Sequence, residues 1–536
     1  MKKRTTLIAL LLVSIMAFNS AIACTIFGIG KDATTDGSTI VTHTCDSTGD
    51  DTRMWIIPRM EGGPDVKRDI VIDGHKYGDW SNYPQVKDYG GGYVVGEMPQ
   101  PDNTHQYLHS NYSIINERGV AMGESTFWID SKTEYGQKIR SLLYDDNDGL
   151  IDCYHAQHIA LERANTAREA VEIIGGLVEE YGWSSTGETI NICDGNEVWI
   201  IELYGRDIWC AVRIPDDALF VCANRARINE FDFEDKDNFL CSPSMKNFAL
   251  ENELWKEGDP FTPAEIYAPN NQTYSTRREW RALDLVAPSL NLDPEATRFP
   301  LYVVPEKKLS VNDVMLLNSD YYQGTEYDLS IQPEAGPYGN VLNEFHKERP
   351  INLYRCAYQT IANIKADLPD EAKCLVWFGY GAADSSYIVP LWACATRLPE
   401  LFATGTRYDA FNRNSGWWVN SYVQQTAATN YESAIKDIHE ARDGKLETQY
   451  TVVAELQKAS AELVKAGKNE EAVELLTSYS YNNAVEWHNY WLELGDKLYG
   501  KYMFGRINMQ RAPYPEWWQK ILDEAPVRPP EEEPAK

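Results

Sequence analysis

The sequence lacks the short motifs that mark several common enzyme classes. It has no Walker loop, no G-x-S-x-G motif and no dinucleotide-binding glycine fingerprint, which excludes the usual signatures of P-loop NTPases, α/β-hydrolases and Rossmann enzymes. It also has no C-x-x-C pair, so a zinc ribbon is not indicated. The cysteines are spaced irregularly, and no specific disulfide is predicted; they lie at positions 24, 45, 153, 193, 210, 222, 241, 356, 374 and 394.

An excess of basic residues is also missing. The 536 residues include 50 Lys and Arg against 80 Asp and Glu, a net charge of −30, which argues against nucleic acid as a partner. The apolar fraction is 43%, with 16 Trp and 32 Tyr, so the chain can bury a large core. These features favour a folded protein whose partners are small and neutral or cationic.

Beyond the first residues, no run approaches the roughly 20 apolar residues of a transmembrane helix, so no transmembrane segment is predicted. The start of the chain has the pattern of a cleaved signal peptide over residues 1–23. Lys2, Lys3 and Arg4 precede an apolar stretch at 7–18, and small residues stand at the end, Ala21 and Ala23. We therefore expect export to the periplasm or the extracellular space, with Cys24 as the first mature residue.

A cysteine directly after a signal can instead carry the lipid anchor of a bacterial lipoprotein. Such sites favour Leu three residues before the cysteine, whereas this chain has Ala21 there, followed by Ile22. The lipoprotein remains the alternative prediction. Lipidation would acylate both the sulfur and the amine of Cys24.

The pattern of the remaining chain predicts β-hairpins and helices. Residues 24–44 and 112–126 each read as two short strands around a turn, and Thr166 with Glu169 predicts the start of a helix. From Tyr431 to Tyr502 the pattern is helical. The predicted organisation is a signal peptide, a catalytic domain, a helical C-terminal region packed on that domain, and a disordered tail, at 1–23, 24–430, 431–524 and 525–536.

An amino-terminal cysteine combines two reactive groups in one residue. Its thiol and its α-amine both titrate near neutral pH. An amine beside a thiol can act as the base that activates it as a nucleophile. The alternative is that Cys24 is an ordinary buried cysteine on a first strand.

Several segments resemble one known family. The segments "CTIFGIGKDATTDGSTIVTHTCD", "GGYVVGEMPQPDNTHQY", "NERGVAMGEST", "ALERANTAREAVEII", "VWIIELYG" and "CANRARINEFD" resemble the dipeptidase D family. These are cysteine peptidases of the N-terminal nucleophile (Ntn) hydrolase superfamily, related to penicillin V acylases, bile-salt hydrolases and acid ceramidases. The resemblance implies an α+β fold, a four-layer αββα sandwich with two stacked antiparallel sheets, plus the helical C-terminal region.

The resemblance also implies roles for residues near the start of the mature chain. Cys24 would be nucleophile and base together, and Asp46 in "THTCD" would contact the α-amine. Relatives carry an arginine three residues before this aspartate, whereas this chain has His43. A histidine is charged only when protonated, so the pH dependence is expected to differ from that of relatives with arginine.

Further roles implied by the resemblance lie later in the sequence. Asn224 in "CANRARI" matches an oxyanion-hole asparagine, and Ser125 with Thr126 falls where relatives line the substrate pocket. The segment "STRREWRA" matches a block with an active-site arginine. Three arginines compete for this role, Arg277, Arg278 and Arg281, of which Arg278 is favoured.

The expected function is therefore cleavage of amide bonds in dipeptides or short peptides through an acyl-enzyme on Cys24. One alternative is hydrolysis of N-acyl amides, such as conjugated bile acids or acyl amino acids. The other is a non-catalytic surface lipoprotein that binds peptide or glycan. No cofactor or metal is predicted, the substrate is a small peptide, and a homo-oligomer is possible.

Overall fold

A computed structural model describes residues 24–49, 51–61, 66–72, 93–145 and 147–525. The predicted signal peptide, and the predicted tail beyond residue 525, lie outside the described residues.

Strands make up the centre of the described molecule. Their bounds are β1 Ile26–Ile29, β2 Thr39–Cys45, β3 Trp55–Ile57, β4 Lys67–Ile72, β5 Tyr93–Pro99, β6 Tyr107–His109, β7 Ser113–Asn116, β8 Ala121–Phe127, β9 Gly187–Cys193, β10 Val198–Gly205, β11 Ile208–Ile214, β12 Leu219–Cys222, β13 Phe239–Cys241, β14 Tyr302–Val303, β15 Tyr358–Ile364, β16 Leu375–Tyr380 and β17 Val389–Trp392.

The strands form two large sheets and one ribbon. A seven-stranded sheet has the order β14-β12-β1-β2-β15-β16-β17, an eight-stranded sheet the order β13-β11-β10-β9-β8-β7-β6-β3, and β4 pairs with β5. The ladders between these strands are antiparallel. The predicted hairpins are present as β1–β2 and β7–β8.

The α-helices lie between and after the strands. Their bounds are α1 Glu134–Tyr144, α2 Cys153–Arg163, α3 Ala167–Tyr181, α4 Met245–Glu251, α5 Pro263–Tyr267, α6 Thr273–Val286, α7 Val311–Asn318, α8 Asp370–Lys373, α9 Gly416–Ala427, α10 Tyr431–Lys465, α11 Asn469–Tyr502 and α12 Glu516–Glu524. At the start of α3, the side chain of Thr166 accepts a hydrogen bond from the amide of Glu169, as expected.

Helices cover the outer face of each sheet. Helices α2 and α3 pack on the eight-stranded sheet, whereas α6, α7, α9 and α11 pack on the seven-stranded sheet. Between these layers, β1 and β2 face β8, β9 and β10. Central strands such as β10 are buried along their whole length because both faces of each sheet are covered. The fold is the expected αββα sandwich.

The close approach of the two sheets depends on a glycine beside the site. A Cβ atom at Gly123 in β8 would lie 2.5 Å from the carbonyl oxygen of Thr42 and 2.8 Å from the Cβ of His43 in β2. A larger residue at 123 would push the sheets apart. Glycine therefore lets the next residue of β8 reach the end of β1.

The C-terminal helices α10 and α11 pack against each other, and α11 also packs on β17. The division at residue 430 stays a prediction, because these helices are part of the outer layer of the seven-stranded sheet. Within the described part of the chain, no helix combines the length and apolar character needed to cross a membrane. Among the described residues, no two cysteines form a disulfide.

Candidate active site

Cys24 lies just before β1, where its thiol and its carbonyl oxygen contact residues of β8 in the facing sheet. The residue is fully buried. Thr25 forms a bridge with Thr44, which places Cys24 opposite the end of β2. The first hairpin therefore brings the predicted nucleophile next to the segment that carries His43 and Asp46.

The thiol of Cys24 faces a buried carboxylate that the sequence analysis did not select. Its Sγ atom donates to Oε1 of Glu124 over 3.1 Å, and Nε2 of His43 lies 3.0 Å from the same oxygen. Burial, followed by the charge of Glu124, raises the pKa of the Cys24 thiol well above its ordinary value. The surroundings of Cys24 therefore favour the neutral thiol over the thiolate.

Glu124 belongs to a pair of buried acids. The hydroxyl of Thr126 lies 3.3 Å from Oε2 of Glu124 and 3.1 Å from Oε2 of Glu188. Burial alone would raise the pKa of Glu124, but contacts with His43 and Glu188 lower it to about 2. Burial and the charge of Glu124 raise the pKa of Glu188 well above its ordinary value. Glu124 is therefore the member of the pair that loses its proton more readily, and Glu188 the member that keeps its proton to higher pH.

The aromatic rings of Tyr112 and Tyr358 hold the imidazole of His43. Both pack edge-on against it, with ring centroids 5.3 and 5.7 Å away. His43 is buried, and its Nε2 faces the Glu124 carboxylate that also accepts from the Cys24 thiol. The substrate-binding role that the sequence also predicts for His43 stays a prediction.

Arg278 fixes the backbone around Cys24. Its guanidinium donates to the carbonyl oxygen of Cys24 over 3.0 Å, to Oγ1 of Thr25, to the carbonyl oxygen of Ala223 and to Oδ1 of Asn224. Its Nε donates to the carbonyl oxygen of the α6 residue one turn earlier. An arginine has five N–H donors, and these contacts use all five. Arg278 is therefore a positioning residue.

The other two candidate arginines point away from Cys24. Arg277 pairs with Glu295 and Glu348, and Arg281 pairs with Asp320. Of the three, the structure brings only Arg278 to Cys24. Arg277 and Arg281 are four residues apart and share one side of α6, whereas Arg278 is turned by about 100° from Arg277 around the helix axis.

Asn224 and Ser125 complete the cluster. Ser125 donates from Oγ to the carbonyl oxygen of Cys24 over 3.2 Å and accepts from the amide of Asn224 over 2.9 Å. Nδ2 of Asn224 donates to the carbonyl oxygen of Thr126 over 2.7 Å. Asn224 has a φ of 62°, a left-handed conformation that asparagine tolerates better than most residues. The strained turn after β12 thus aims the side-chain amide at the site.

Asp46 is buried beside Cys24. Oδ2 accepts from the Thr44 hydroxyl over 3.3 Å, whereas Oδ1 is buried without a hydrogen-bond partner among the described residues. Burial raises the pKa of Asp46 to about 7, although the charges of Arg278 and Arg355 oppose the shift. An unsatisfied buried acceptor next to residue 24 fits a donor from that residue.

Three of these side chains could also hold a metal ion. Cys24 Sγ, His43 Nε2 and a carboxylate oxygen of Glu124 all lie within 4.8 Å of one another. The same arrangement is explained by the thiol and the imidazole sharing one carboxylate oxygen.

The structure therefore brings every predicted site residue to one cluster, while their chemical roles stay predictions. Ser125 and Thr126 bridge buried groups, and their predicted place in the substrate pocket stays a prediction. Sequence reasoning missed Glu124 and Glu188. The available signal was an acidic residue inside each of two otherwise buried strands, β8 and β9.

The αββα sandwich and the buried cysteine at the start of its first strand define a cysteine hydrolase of the Ntn type. The chain belongs to peptidase family C69, whose family model matches residues 23–444. The family expected from the sequence is thereby confirmed.

Similar proteins carry related names. A "Probable dipeptidase" of Latilactobacillus sakei is 27% identical over 425 residues, covering 76% of this chain and 82% of that protein. A "Dipeptidase" of Bifidobacterium longum is 27% identical over 75% of this chain and 76% of its own length. "Dipeptidase A" of Lactobacillus helveticus is 24% identical over 86% of this chain and 94% of its own length.

Proposed function

We propose that the chain is an exported cysteine dipeptidase, in which removal of residues 1–23 frees Cys24 as nucleophile and its α-amine as base. The observation that carries this proposal is the set of contacts that hold Cys24. Arg278 and Ser125 hold its carbonyl oxygen, while its thiol is buried with a raised pKa. A thiol in this state requires a base at very short range, and the α-amine of the same residue is one.

The reaction balances with groups of this chain. The α-amine takes the thiol proton, and Sγ forms a bond to the scissile carbonyl carbon. The C–N bond then breaks as the amine gives its proton to the leaving nitrogen. Water hydrolyses the thioester, which releases the acyl part as a carboxylate and restores the thiol. No cofactor enters the cycle.

Two neighbouring residues assist in this proposal. Asp46 would accept a hydrogen bond from the α-amine, because its Oδ1 is a buried acceptor without a described partner. Asn224 would stabilise the oxyanion with its side-chain amide, whose orientation is fixed by its bond to Thr126 and by Arg278. Removing one oxyanion-hole donor raises the activation free energy of catalysis by about 2.7–4 kcal/mol in other enzymes.

The test begins with the mature amino terminus. Mass spectrometry of protein from the exported fraction should show an unmodified Cys24 as residue one. A lipidated Cys24 would exclude the mechanism and support the lipoprotein. Protein that retains one residue before Cys24 should be inactive, because its amine has become an amide.

A hydrolysis panel then fixes the substrate class. Unblocked dipeptides should be cleaved, and Cys24→Ala should lose nearly all turnover while its unfolding free energy changes by about 1 kcal/mol, the scale of one hydrogen bond. Cys24→Ser should keep a trace of turnover, because the weaker serine nucleophile still has the α-amine as its base. Faster cleavage of N-acylated amino acids or conjugated bile acids than of dipeptides would favour the N-acyl amide hydrolase.

A further inference from the structure

A second feature of this site is a cavity of about 300 Å³ beside the segment that follows β2. It lies between that segment, the loop before β15, and α9 with the loop preceding it. The lining includes Thr48, Arg355, Cys356, Arg407, Trp417 and Gln425. A volume of this size is at the lower end of ligand pockets.

The strand register places this cavity near the nucleophile. Thr25 pairs with Thr44, and the amide of Ala357 donates to the carbonyl oxygen of Cys45 over 2.7 Å. The ends of β1, β2 and β15 therefore lie side by side at one edge. Two strand spacings amount to about 10 Å. The next residue of a bound peptide lies about 3.8 Å beyond the scissile bond. A long side chain from the segment before β15 can therefore reach a group on that residue.

The cavity is cationic in an otherwise acidic protein. Its described lining contains two arginines, Arg355 and Arg407, and no carboxylate. The charge of Arg355 acts on the Asp46 carboxyl, and that of Arg407 on the Cys356 thiol. The guanidinium of Arg407 lies 5.1 Å from the ring centre of Trp417, and its buried Nε has no hydrogen-bond partner among the described residues.

Arg278 cannot provide this positive charge to a substrate. Its five N–H donors are all used by acceptors of the protein. A carboxylate near the scissile bond therefore has to be recognised elsewhere. Arginine forks suit this task because they bind carboxylates through paired hydrogen bonds.

We propose that Arg355 and Arg407 bind the free carboxylate of the amino acid on the leaving side of the scissile amide. This inference rests on the proposed function and states its substrate class. A carboxylate bound at a fixed distance from Cys24 allows only one residue after the scissile bond. Dipeptides fit this requirement, and longer peptides are cut only at their last bond.

The kinetic test compares a dipeptide with its C-terminal amide. The wild type should prefer the free acid by about 10- to 100-fold in kcat/KM, the range expected for a hydrogen bond to a charged group. Arg355→Gln and Arg407→Gln should each raise KM for the acid while leaving the amide nearly unaffected. Arg413→Gln, an exposed arginine that pairs with Asp496, is the matched control and should keep the preference.

A second variant guards against misfolding of the arginine variants. Gln425 is exposed on α9 at the rim of the cavity, so Gln425→Glu should fold normally. Its new carboxylate should repel that of the substrate and raise KM for the acid alone. Adding salt should weaken this effect, because screening reduces repulsion between exposed charges.

A binding experiment separates this inference from the proposed function. Titration calorimetry of Cys24→Ala with the dipeptide and with its amide requires no turnover. Tighter binding of the acid that disappears in Cys24→Ala/Arg407→Gln supports the carboxylate site even if no dipeptide is hydrolysed. Two results would overturn the carboxylate site. One is that the wild type binds and cleaves the free acid and the amide equally well. The other is that the arginine variants lose the same activity or affinity for both compounds.

Discussion

Nη1 of Arg278 donates a hydrogen bond to the backbone carbonyl oxygen of Cys24 over 3.0 Å. The same guanidinium reaches Oδ1 of Asn224 over 2.8 Å, so one side chain sets the distance between the proposed nucleophile and the proposed oxyanion donor. These two groups lie at the ends of different strands, β1 and β12. Through Arg278, helix α6 therefore holds the ends of β1 and β12 at a fixed separation.

Arg278→Lys should lower kcat/KM by about 100-fold, the scale of a 1 Å misplacement of catalytic groups. Lysine keeps the charge, but its single nitrogen cannot span the acceptors that the planar fork holds. Steady-state kinetics with one good dipeptide measures the loss.

Arg281→Lys is the control for that change, since Arg281 lies on the same helix but pairs with Asp320. It should keep activity close to that of the wild type. Equal losses in both variants would show that the effect comes from α6 as a whole and not from the contact with Cys24.

His43 gives a prediction about pH. His43→Arg places a permanent positive charge beside the thiol, which favours the thiolate and should move the acidic limb of the kcat/KM profile to lower pH. His43→Gln should leave activity near pH 8 largely intact. Acidic limbs that superimpose in the wild type and both folded variants would mean that His43 does not influence the nucleophile.

Much of the fold could be predicted from local signals. The hairpins around β1–β2 and β7–β8 follow from short β-rich runs separated by turn residues, and α3 follows from its Thr166 cap. Sheet order could not be read this way. Strands β2 and β15 pair across more than 300 residues, and no local pattern encodes that contact.

The residues of this cluster could be named from the sequence, whereas their contacts with one another could not. Arg277, Arg278 and Arg281 are all buried on one short helix, so only the packing of α6 distinguishes them. Glu124 was not selected because β8 is buried on both faces, which removes the alternation that would show where a side chain points. Its contact with Cys24 depends on how the two sheets stack.

Asp46 makes the stability of the unprocessed chain depend on pH. Its pKa is about 7 in the folded protein and 3.8 ordinarily, so the folded state binds the proton more tightly. This contribution is fully present below pH 3.8 and is lost as the pH rises through about 7. Relative to Asp46→Asn, the wild type should lose roughly 4 kcal/mol of unfolding free energy across that window.

Denaturant unfolding at several pH values checks this, using protein in which a residue still precedes Cys24. Parallel profiles for the wild type and Asp46→Asn would contradict the prediction. In processed protein, the α-ammonium beside Asp46 should lower the pKa of Asp46 and shrink the difference between the two proteins. The comparison therefore also reports whether the amine lies next to this carboxyl.

The buried acids Glu124 and Glu188 offer a matched pair of substitutions. After burial, the charge of Glu124 is the next cause of the raised pKa of the Cys24 thiol, so Glu124→Gln should lower that pKa. Burial and the charge of Glu124 raise the pKa of Glu188, so Glu188→Gln replaces the member of the pair that holds its proton more tightly. It should leave the pKa of the thiol nearly unchanged.

Ultraviolet absorbance of the thiolate, titrated against pH and referenced to Cys24→Ser in each background, measures both values. The expected order of thiol pKa is Glu124→Gln below the wild type, with Glu188→Gln equal to the wild type. A shift of equal size in both variants would show that the two acids share the charge evenly. A shift in Glu188→Gln alone would reverse the assignment, because the ionised carboxylate would then be Glu188 and the Cys24 thiol would donate to a neutral acid.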